Sequence, residues 1–292
     1  MANRSFDDQY KGCEKDMRNK VLKTLLKNEL EKNADFKTGW KKGEGSWERL
    51  NKKVPLPPGM LKDHAVAIQA YTCGSSLYKS FNEAVRTNAD FKTGWKKGEG
   101  SWERLNKKVP LPPGMLKDHA VAIQAYTCGS SLYKSFNEAV RTNVTSLKEY
   151  QNRFLYKSLH FLLTDAVRIL KKREAENCHD VYRGTTVSFS AKEGERVRFG
   201  QFASSSLSEK VAKKFGNATA FKIKTCLGAP LGTLSALSRE KEVLIPPFEV
   251  FRVVSVKNRQ TGRSIELEHY GNFSKFNCAL FKKPRRGKIV FI

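Results

Sequence analysis

Hydrophobic and polar positions change their spacing near residue 178. Before that point, apolar residues recur at intervals of three and four, which is the spacing of one face of an α-helix. This spacing predicts amphipathic helices at 14–31 and 147–171, the first with a strongly cationic outer face. Beyond residue 178, the apolar runs are short, β-rich and separated by Gly, Asn, Ser and Lys turns. They predict strands at 181–189, 218–226, 242–256, 264–270 and 287–292.

The order of these elements indicates the fold class. Helices come first and strands follow, with one further predicted helix at 209–214. Alternating βαβ units would interleave the two kinds of element, so the sequence predicts an α+β architecture. No Gly-rich phosphate loop of the Rossmann or P-loop kind is present. Any nucleotide must therefore be held by another scaffold.

A long internal repeat divides the chain. Residues 33–87 recur without a change as residues 88–142, a unit of 87 − 33 + 1 = 55 residues. Two copies are too few for a solenoid, and removing one leaves 292 − 55 = 237 residues, which suits a single domain. We predict an N-terminal helical segment (1–32), the two copies, and a helix with a β-rich core (143–292). Such identity indicates either a recent duplication or an artefact of sequence assembly.

Each copy is predicted to be largely helical. Asp63, and Asp118 in the second copy, is the expected N-cap of a first helix. A second helix is predicted from an apolar stripe formed by Leu77, Phe81, Ala84 and Val85. All four tryptophans lie inside the copies, as Trp40, Trp47, Trp95 and Trp102. Because the copies are identical, the sequence leaves open which window occupies the native position.

Charge narrows the range of partners. The formal net charge is +25, which favours acidic partners such as nucleotides, nucleic acids, glycans or membranes. However, the basic residues are dispersed and no nucleic-acid motif is present, so we expect no specific nucleic-acid partner. No apolar run approaches the roughly 20 residues that span a bilayer, and no N-terminal stretch resembles a signal peptide. The six cysteines contain no CxxC pair and histidine is sparse, so we expect no metal site.

The candidate chemistry begins with two acids, Glu240 and Glu242, at the predicted start of the strand at 242–256. In an extended backbone, residues i and i+2 project from the same face, so both carboxylates are expected in one site. Two such acids can divide a reaction between them. Alone, this spacing is common and equally describes solvated acids on a strand edge. The functional interpretation of this spacing depends on two upstream motifs, Val-Tyr-Arg-Gly (181–184) and Arg-Phe-Gly-Gln-Phe-Ala-Ser-Ser-Ser-Leu (198–207).

An arginine that leaves a strand (Arg183), a serine cluster (Ser204–Ser206) and the Glu pair follow one another in the chain. This order resembles the R-S-ExE signature of the arginine-specific mono-ADP-ribosyltransferases. The segments Val-Pro-Leu-Pro-Pro-Gly, Phe-Asn-Glu-Ala-Val-Arg and Glu-Val-Leu-Ile-Pro-Pro-Phe also look like that family, closest to its avian secreted members. The resemblance implies helices packed on a two-sheet β core. It also implies transfer of ADP-ribose from NAD⁺ to arginine side chains, and leaves the use of NADP⁺ open.

The resemblance also implies roles for single residues. Glu242 would stabilise a cationic ribose, and Glu240 would hold the acceptor guanidinium. Arg183 would bind NAD⁺, and Ser204 would orient Glu242 and contact the ribose. The backbone of Gly184 would approach nicotinamide. Further along, Phe215 would stack on nicotinamide, or else be a core aromatic, and Ser206 is the predicted N-cap of the following helix.

Four cysteines match the disulfide pattern that the resemblance implies, as Cys13–Cys278 and Cys178–Cys226. Cys73 and Cys128 fall outside that pattern and are expected to be free or adventitiously paired. The family relationship predicts an extracellular or secretory-lumen protein. Three alternatives stay open: an NAD glycohydrolase on the same fold, a scaffold whose catalysis the duplication has impaired, and a basic nucleic-acid-binding protein.

Overall fold

The computed structural model describes residues 5–31, 75–107, 109–142 and 146–281. Helices precede strands within them, which confirms the α+β prediction. The helices are α1 (Glu14–Lys20), α2 (Leu26–Glu31), α3 (Ser75–Asn106), α4 (Lys117–Thr127), α5 (Leu132–Thr142), α6 (Leu147–Arg153), α7 (Lys157–Lys171) and α8 (Glu209–Ala212). The strands are β1 (His179–Thr185), β2 (Arg196–Val197), β3 (Ala203–Ser206), β4 (Thr219–Thr225), β5 (Ala229–Pro230), β6 (Glu242–Ile245), β7 (Glu249–Arg259) and β8 (Gly262–Asn272).

Three helix predictions need correction in detail. The helix predicted at 14–31 is α1 and α2 joined by one π-helical turn, Val21–Leu25. The helix predicted at 147–171 breaks after Arg153, because Phe154 is extended and buries its ring in the core. Asp118 is not an N-cap: α4 begins at Lys117, and Asp118 lies in its first turn, where a carboxylate suits the helix dipole. Asp63 lies outside the described residues.

The second copy of the repeat fills the helical core. On α3, Phe91, Trp95 and Trp102 are buried. On α5, the predicted apolar stripe is buried as Leu132, Phe136, Ala139 and Val140. Helix α3 runs without a break through residue 88, where the copies join. Residues 32–74, which hold most of the first copy, lie outside the described residues, so the division of the chain into segments stays a prediction.

One glycine shows how tightly the second copy is packed. A Cβ atom on Gly98 of α3 would lie 2.7 Å from the backbone nitrogen of Ala125 and 2.7 Å from the carbonyl oxygen of Val121. Real Cβ atoms do not approach backbone so closely, so a side chain at this position would force α3 away from α4. The glycine therefore lets α3 cross α4 at close range.

The eight strands form one hydrogen-bonded sheet in the order β2-β7-β8-β4-β1-β3-β6-β5. The two sheets that we expected are joined through a single residue pair between β1 and β3, Tyr182 and Ser206. The strand predicted at 242–256 is two strands, β6 and β7, because Pro246 and Pro247 interrupt the ladder. The strand predicted at 287–292 lies outside the described residues.

The buried apolar side chains form two hydrophobic cores. The larger contains the helices and receives Phe202 and Leu244 from the region of β3 and β6. The smaller lies within the sheet and includes Val181, Phe221 and Phe251. Strand β6 contributes Leu244 to the larger core and Val243 and Ile245 to the smaller one, whereas β3 contributes Ala203 to the smaller core. Strand β6, which begins at Glu242, therefore lies between the two cores.

Both predicted disulfides are present. Cys13–Cys278 ties the N-terminal segment to the segment after β8, and Cys178–Cys226 connects the start of β1 to the end of β4. Cys128 is a free, half-buried thiol, and Cys73 lies outside the described residues. Among the described helices, none combines the length and the apolar character needed to cross a membrane.

Candidate active site

Three predicted site residues lie on three neighbouring strands. Arg183 is on β1, Ser204 is on β3 and Glu242 begins β6. Because β1, β3 and β6 are adjacent in the sheet, residues far apart in sequence become neighbours. The pairing of Ser206 with Glu242 fixes the register of β3 against β6. The structure thus brings together the three motifs that the sequence presents in order.

The carboxylate of Glu242 is the buried centre of this cluster. Glu242 is only 6% exposed, and the Ser235 hydroxyl donates a hydrogen bond to its Oε2 at 3.1 Å. The Ser204 side chain also acts on this carboxylate and favours its ionised form. Burial raises the pKa of Glu242, and nearby Glu240 raises it further, whereas the two serines and Arg183 act in the opposite direction. Glu242 is therefore a desolvated acid that Ser235 holds in place.

Arg183 places a cation beside this acid. Its guanidinium donates a hydrogen bond to the Ser204 carbonyl oxygen, which links β1 to β3. Burial lowers the pKa of Arg183, and the charge of Glu242 is among the influences that raise it. A guanidinium remains protonated in proteins, so the group is a fixed positive charge within the site. Such a charge suits the anionic part of a nucleotide.

Glu240 is near Glu242 for a different reason from the one predicted. It ends a 3₁₀ turn, Ser238–Glu240, and Lys241 is left-handed with φ 47° and ψ 48°. The expectation of two acids on one extended strand is therefore wrong, because alternation does not hold across this turn. Glu240 is half-buried, and its pKa is raised by burial and lowered in smaller part by Lys214. The turn gives the two acids different environments, one partly open and one closed.

The predicted cap role of Ser206 is wrong. Helix α8 begins at Glu209 after Ser208, and no side chain caps it. Ser206 instead ends β3 and donates from its hydroxyl to the Glu240 carbonyl oxygen at 2.7 Å. Its hydroxyl also accepts a hydrogen bond from the Ser208 backbone at 3.0 Å. Ser206 therefore holds the turn that carries Glu240.

Phe215 and Gly184 lie together beside α8. Phe215 ends a 3₁₀ turn and is 53% exposed, so the alternative of a core aromatic is wrong and the stacking role stays a prediction. A Cβ atom on Gly184 would lie 2.3 Å from the Ala212 carbonyl oxygen and 2.6 Å from that of Gly216. Glycine is thus required for this turn to pack on β1. Its expected approach to nicotinamide stays a prediction.

A cleft of about 280 Å³ opens beside Arg183 and Gly184. The side chains of Ser204, Glu240 and Glu242 do not line it. Its charged lining is mixed and comprises Arg183, Glu209, Lys213, Lys222, Lys257, Arg259 and Glu266. The cleft therefore shares Arg183 and Gly184 with the predicted site, and its lining has an excess of cations.

Sequence reasoning missed the contribution of α4. The Tyr126 hydroxyl donates to the Phe202 carbonyl oxygen at 3.2 Å and accepts from the Asn137 amide at 2.9 Å. Burial raises the pKa of Tyr126 to about 12, so the phenol is neutral. The sequence offered one signal, a tyrosine and a glutamine within the otherwise apolar run Ala-Val-Ala-Ile-Gln-Ala-Tyr. Polar residues in such a run need partners, but the run does not identify them.

Comparisons with known proteins agree with this geometry. A sequence model of the NAD:arginine ADP-ribosyltransferase family matches residues 1–90 and 87–275, two stretches that each contain one copy of the repeat. An erythroblast NAD(P)(+)--arginine ADP-ribosyltransferase of Gallus gallus is 40% identical over 242 residues, 80% of this chain and 80% of that protein. A GPI-linked NAD(P)(+)--arginine ADP-ribosyltransferase 1 of Mus musculus is 35% identical over 289 residues, 98% of this chain and 74% of that protein.

Solved structures agree as well. A crystal structure of a mutant of the eukaryotic mono-ADP-ribosyltransferase ART2.2, in complex with NAD, aligns with a TM-score of 0.63 and 30% identity. The alignment covers 97% of this chain and 98% of that chain. The family match spans more than half of the chain. The chain belongs to the NAD:arginine ADP-ribosyltransferase family.

Proposed function

We propose that this protein is a mono-ADP-ribosyltransferase that moves ADP-ribose from NAD⁺ to arginine side chains of acceptor proteins and releases nicotinamide. One observation carries the assignment of its centre: a buried acid, Glu242, accepts a hydrogen bond from Ser235, and Ser204 and the fixed charge of Arg183 favour its ionised form. A desolvated carboxylate is well placed to stabilise a developing positive charge. The relatives named as NAD(P)(+)--arginine ADP-ribosyltransferases support the reaction type and NAD⁺ as the substrate.

The reaction breaks the bond between nicotinamide and ribose, and the bonding electrons leave with nicotinamide. The sugar becomes cationic, comparable to the oxocarbenium state of glycoside cleavage. We assign Glu242 to stabilise this cation, with Ser204 and Ser235 holding the carboxylate. Arg183 binds the anionic part of NAD⁺, with Gly184 and Phe215 at the nicotinamide end. A guanidine nitrogen then forms the new bond to ribose and loses a proton.

Glu240 is assigned to the acceptor. It is more open than Glu242, lies on a turn beside it, and can accept two hydrogen bonds from a planar guanidinium. Its pKa is raised by partial burial, which favours uptake of a proton as the guanidinium nitrogen attacks. This division of labour separates transfer to arginine from hydrolysis of NAD⁺ by water.

The test is to supply NAD⁺ with and without agmatine, a small guanidine, and to measure nicotinamide and ADP-ribosyl-agmatine separately. The wild-type protein is expected to form about one adduct for each nicotinamide at saturating agmatine. In Glu240→Gln, adduct formation is expected to fall much further than nicotinamide release. Glu268→Gln, which removes an equal charge on β8, serves as the matched control and should change neither. Nicotinamide without adduct from the wild type would favour an NAD glycohydrolase.

Binding of NAD⁺ distinguishes a catalytically impaired scaffold from a transferase and from an NAD glycohydrolase. If only the folded state binds NAD⁺, an NAD⁺ concentration of one hundred times the dissociation constant raises the free energy of unfolding by about 2.7 kcal/mol. We therefore expect NAD⁺ to raise the melting temperature (Tm). Absence of this shift, together with absence of nicotinamide release, would favour the scaffold.

We also propose that the protein works outside the cell or in the secretory lumen. Two disulfides, Cys13–Cys278 and Cys178–Cys226, suit an oxidising compartment. Relatives named as GPI-linked or ecto-enzymes support the same location. The intact mass of the natural protein, about 4 Da below its fully reduced mass, would support it. A natural protein with all thiols reduced would contradict it.

A further inference from the structure

Helix α4, which belongs to the second copy of the repeat, contacts the connection between β5 and β6 at two points. The Gln124 amide donates to the Leu234 carbonyl oxygen at 2.6 Å, and the Ala236 backbone N–H donates to the Thr127 hydroxyl at 2.9 Å. Gln124 and Thr127 lie three positions apart on α4, so they project from one face of the helix. Both side chains are buried. The helix therefore holds two nearby backbone groups of this connection.

The residue between the two contacts is Ser235, which reaches the catalytic acid. Its hydroxyl donates to Glu242 Oε2 at 3.1 Å and accepts a hydrogen bond from the Leu237 backbone at 3.2 Å. Ser235 and Glu242 are both buried, so little solvent is present to replace their hydrogen bond. The path from α4 to the Glu242 carboxylate therefore consists of three hydrogen bonds and a three-residue stretch of backbone.

The two contacts of α4 determine where the Ser235 side chain points. The Leu234 carbonyl lies in the planar peptide unit before the Cα atom of Ser235, and the Ala236 N–H lies in the unit after it. Anchoring one group in each unit fixes the backbone dihedrals of Ser235, which are φ −70° and ψ 141°. These dihedrals set the direction of its Cα–Cβ bond. Because Ser235 lies between two 3₁₀ turns, outside the strands and helices, contacts of this kind hold its backbone.

We infer that Gln124 and Thr127 are positioning residues for the transferase reaction. They hold the backbone on both sides of Ser235 and so direct its hydroxyl to the Glu242 carboxylate. The inference rests on the proposed function for its catalytic readout. It gives the duplicated segment a functional role, because residues 88–142 then support the active site as well as the core.

The kinetic test compares Thr127→Val, Thr127→Ser and Thr72→Val in the full chain. Valine keeps the shape of threonine without the hydroxyl, serine keeps the hydroxyl, and Thr72 is the identical residue of the first copy. Thr127→Val is expected to lower kcat for nicotinamide release about 10-fold with KM for NAD⁺ changed about twofold or less, because misplacement of a catalytic group costs rate more than binding. The other two variants should stay within about twofold of the wild type. Equal kcat values in all four proteins would overturn the inference, as would a loss confined to KM.

A second pair of variants tests the other contact. Gln124→Met keeps the length of the side chain but removes the donor to the Leu234 carbonyl oxygen, and Gln69→Met makes the same change in the first copy. We expect Gln124→Met to lower kcat about 10-fold and Gln69→Met to leave it unchanged. Equal kcat values for these two variants would overturn the role of Gln124.

A pH profile separates positioning from general loosening. Burial raises the pKa of Glu242 and the Ser235 hydrogen bond opposes this rise, so a displaced hydroxyl should move the acid limb of kcat/KM to higher pH. Thr127→Val and Ser235→Ala should shift the limb in this same direction, and the double variant should shift it no further than Ser235→Ala alone. The other groups that act on this carboxylate are unchanged in these variants: Ser204, Glu240, Arg183 and Tyr126. An unchanged acid limb in Thr127→Val, or additive shifts in the double variant, would overturn the inference.

A further measurement needs no activity. The fall in Tm caused by Thr127→Val is compared in the wild-type background and in the Ser235→Ala background. If Thr127 acts through Ser235, the fall should be larger in the wild-type background, because only there does the variant also displace a hydroxyl from Glu242. Thr72→Val should give the same small change in both, and equal falls for Thr127→Val would overturn the inference. A wild type that releases no nicotinamide would contradict the proposed function, whereas unequal falls would still support the link from α4 to Glu242.

Discussion

Replacement of matched tryptophans in the two copies tests whether the second copy alone fills the core. Trp102 lies on α3 and is 2% exposed, and its identical counterpart in the first copy is Trp47. The perturbation is Trp102→Ala, with Trp47→Ala as the matched variant. Both remove the same side chain from the same flanking sequence, so any difference reports which copy is packed.

The magnitude follows from burial. Truncating a buried tryptophan to alanine costs about 3–5 kcal/mol, because apolar contacts are lost and a cavity remains. In a domain of 150–250 residues, each kcal/mol corresponds to about 2–4 °C in Tm. Trp102→Ala should therefore lower Tm by about 6–20 °C. Trp47→Ala should change the free energy of unfolding by about 0.5 kcal/mol or less, because Trp102 occupies the core position.

The assay is thermal unfolding followed by circular dichroism and by calorimetry, at one protein concentration to hold association constant. A different result is expected if both copies can occupy the core. If either copy could fill the core equally, each single variant would lose only RT ln 2, about 0.4 kcal/mol, and the double variant would lose the full amount. Two small single losses with a large double loss would refute the assignment of the core to residues 88–142.

Further predictions concern the acid, a buried ion pair and a disulfide. Burial raises the folded-state pKa of Glu242, so folding favours its protonated form, and its ionisation costs stability as pH rises through that pKa. Glu242→Gln should therefore raise Tm at neutral pH, and the difference in Tm from the wild type should shrink as pH falls. Thermal scans from pH 4 to 8 measure this difference, and its absence at pH 7 would contradict the reasoning. Breaking the buried Arg198–Asp7 pair by Asp7→Asn should cost about 3–5 kcal/mol in urea unfolding; a cost below about 1 kcal/mol would contradict the burial. Replacing both Cys13 and Cys278 by serine should cost about 2–5 kcal/mol, and an unchanged Tm would contradict a structural role.

Periodicity predicted the elements well where one spacing dominates. The strand at 218–226 and the apolar stripe of α5 follow directly from alternation and from the helical repeat. Breaks within elements were harder to predict. The helix ends before Phe154 because this residue buries its ring in the core, and local spacing carries no information about such tertiary packing. The same holds for the cap of α4, which Asp118 does not provide.

The candidate site was predictable in its members but not in its geometry. The order of motifs along the chain groups Arg183, Ser204 and Glu242, and these residues lie on adjacent strands of the sheet. The left-handed Lys241 was not predictable from residue type, since lysine does not favour that conformation. Tyr126 was missed because its partner Phe202 lies 76 residues away in sequence. Contacts of this kind form only when the helices pack on the sheet.

The most direct test of the proposed reaction compares nicotinamide release and adduct formation by the wild type and by Glu242→Gln, with NAD⁺ and saturating agmatine. Glutamine keeps the shape of the side chain and an oxygen for Ser204 and Ser235, but it removes the negative charge. We expect the wild type to form ADP-ribosyl-agmatine and Glu242→Gln, folded by circular dichroism, to lose both activities by at least about 100-fold. Substantial nicotinamide release by Glu242→Gln would contradict the central role of this carboxylate.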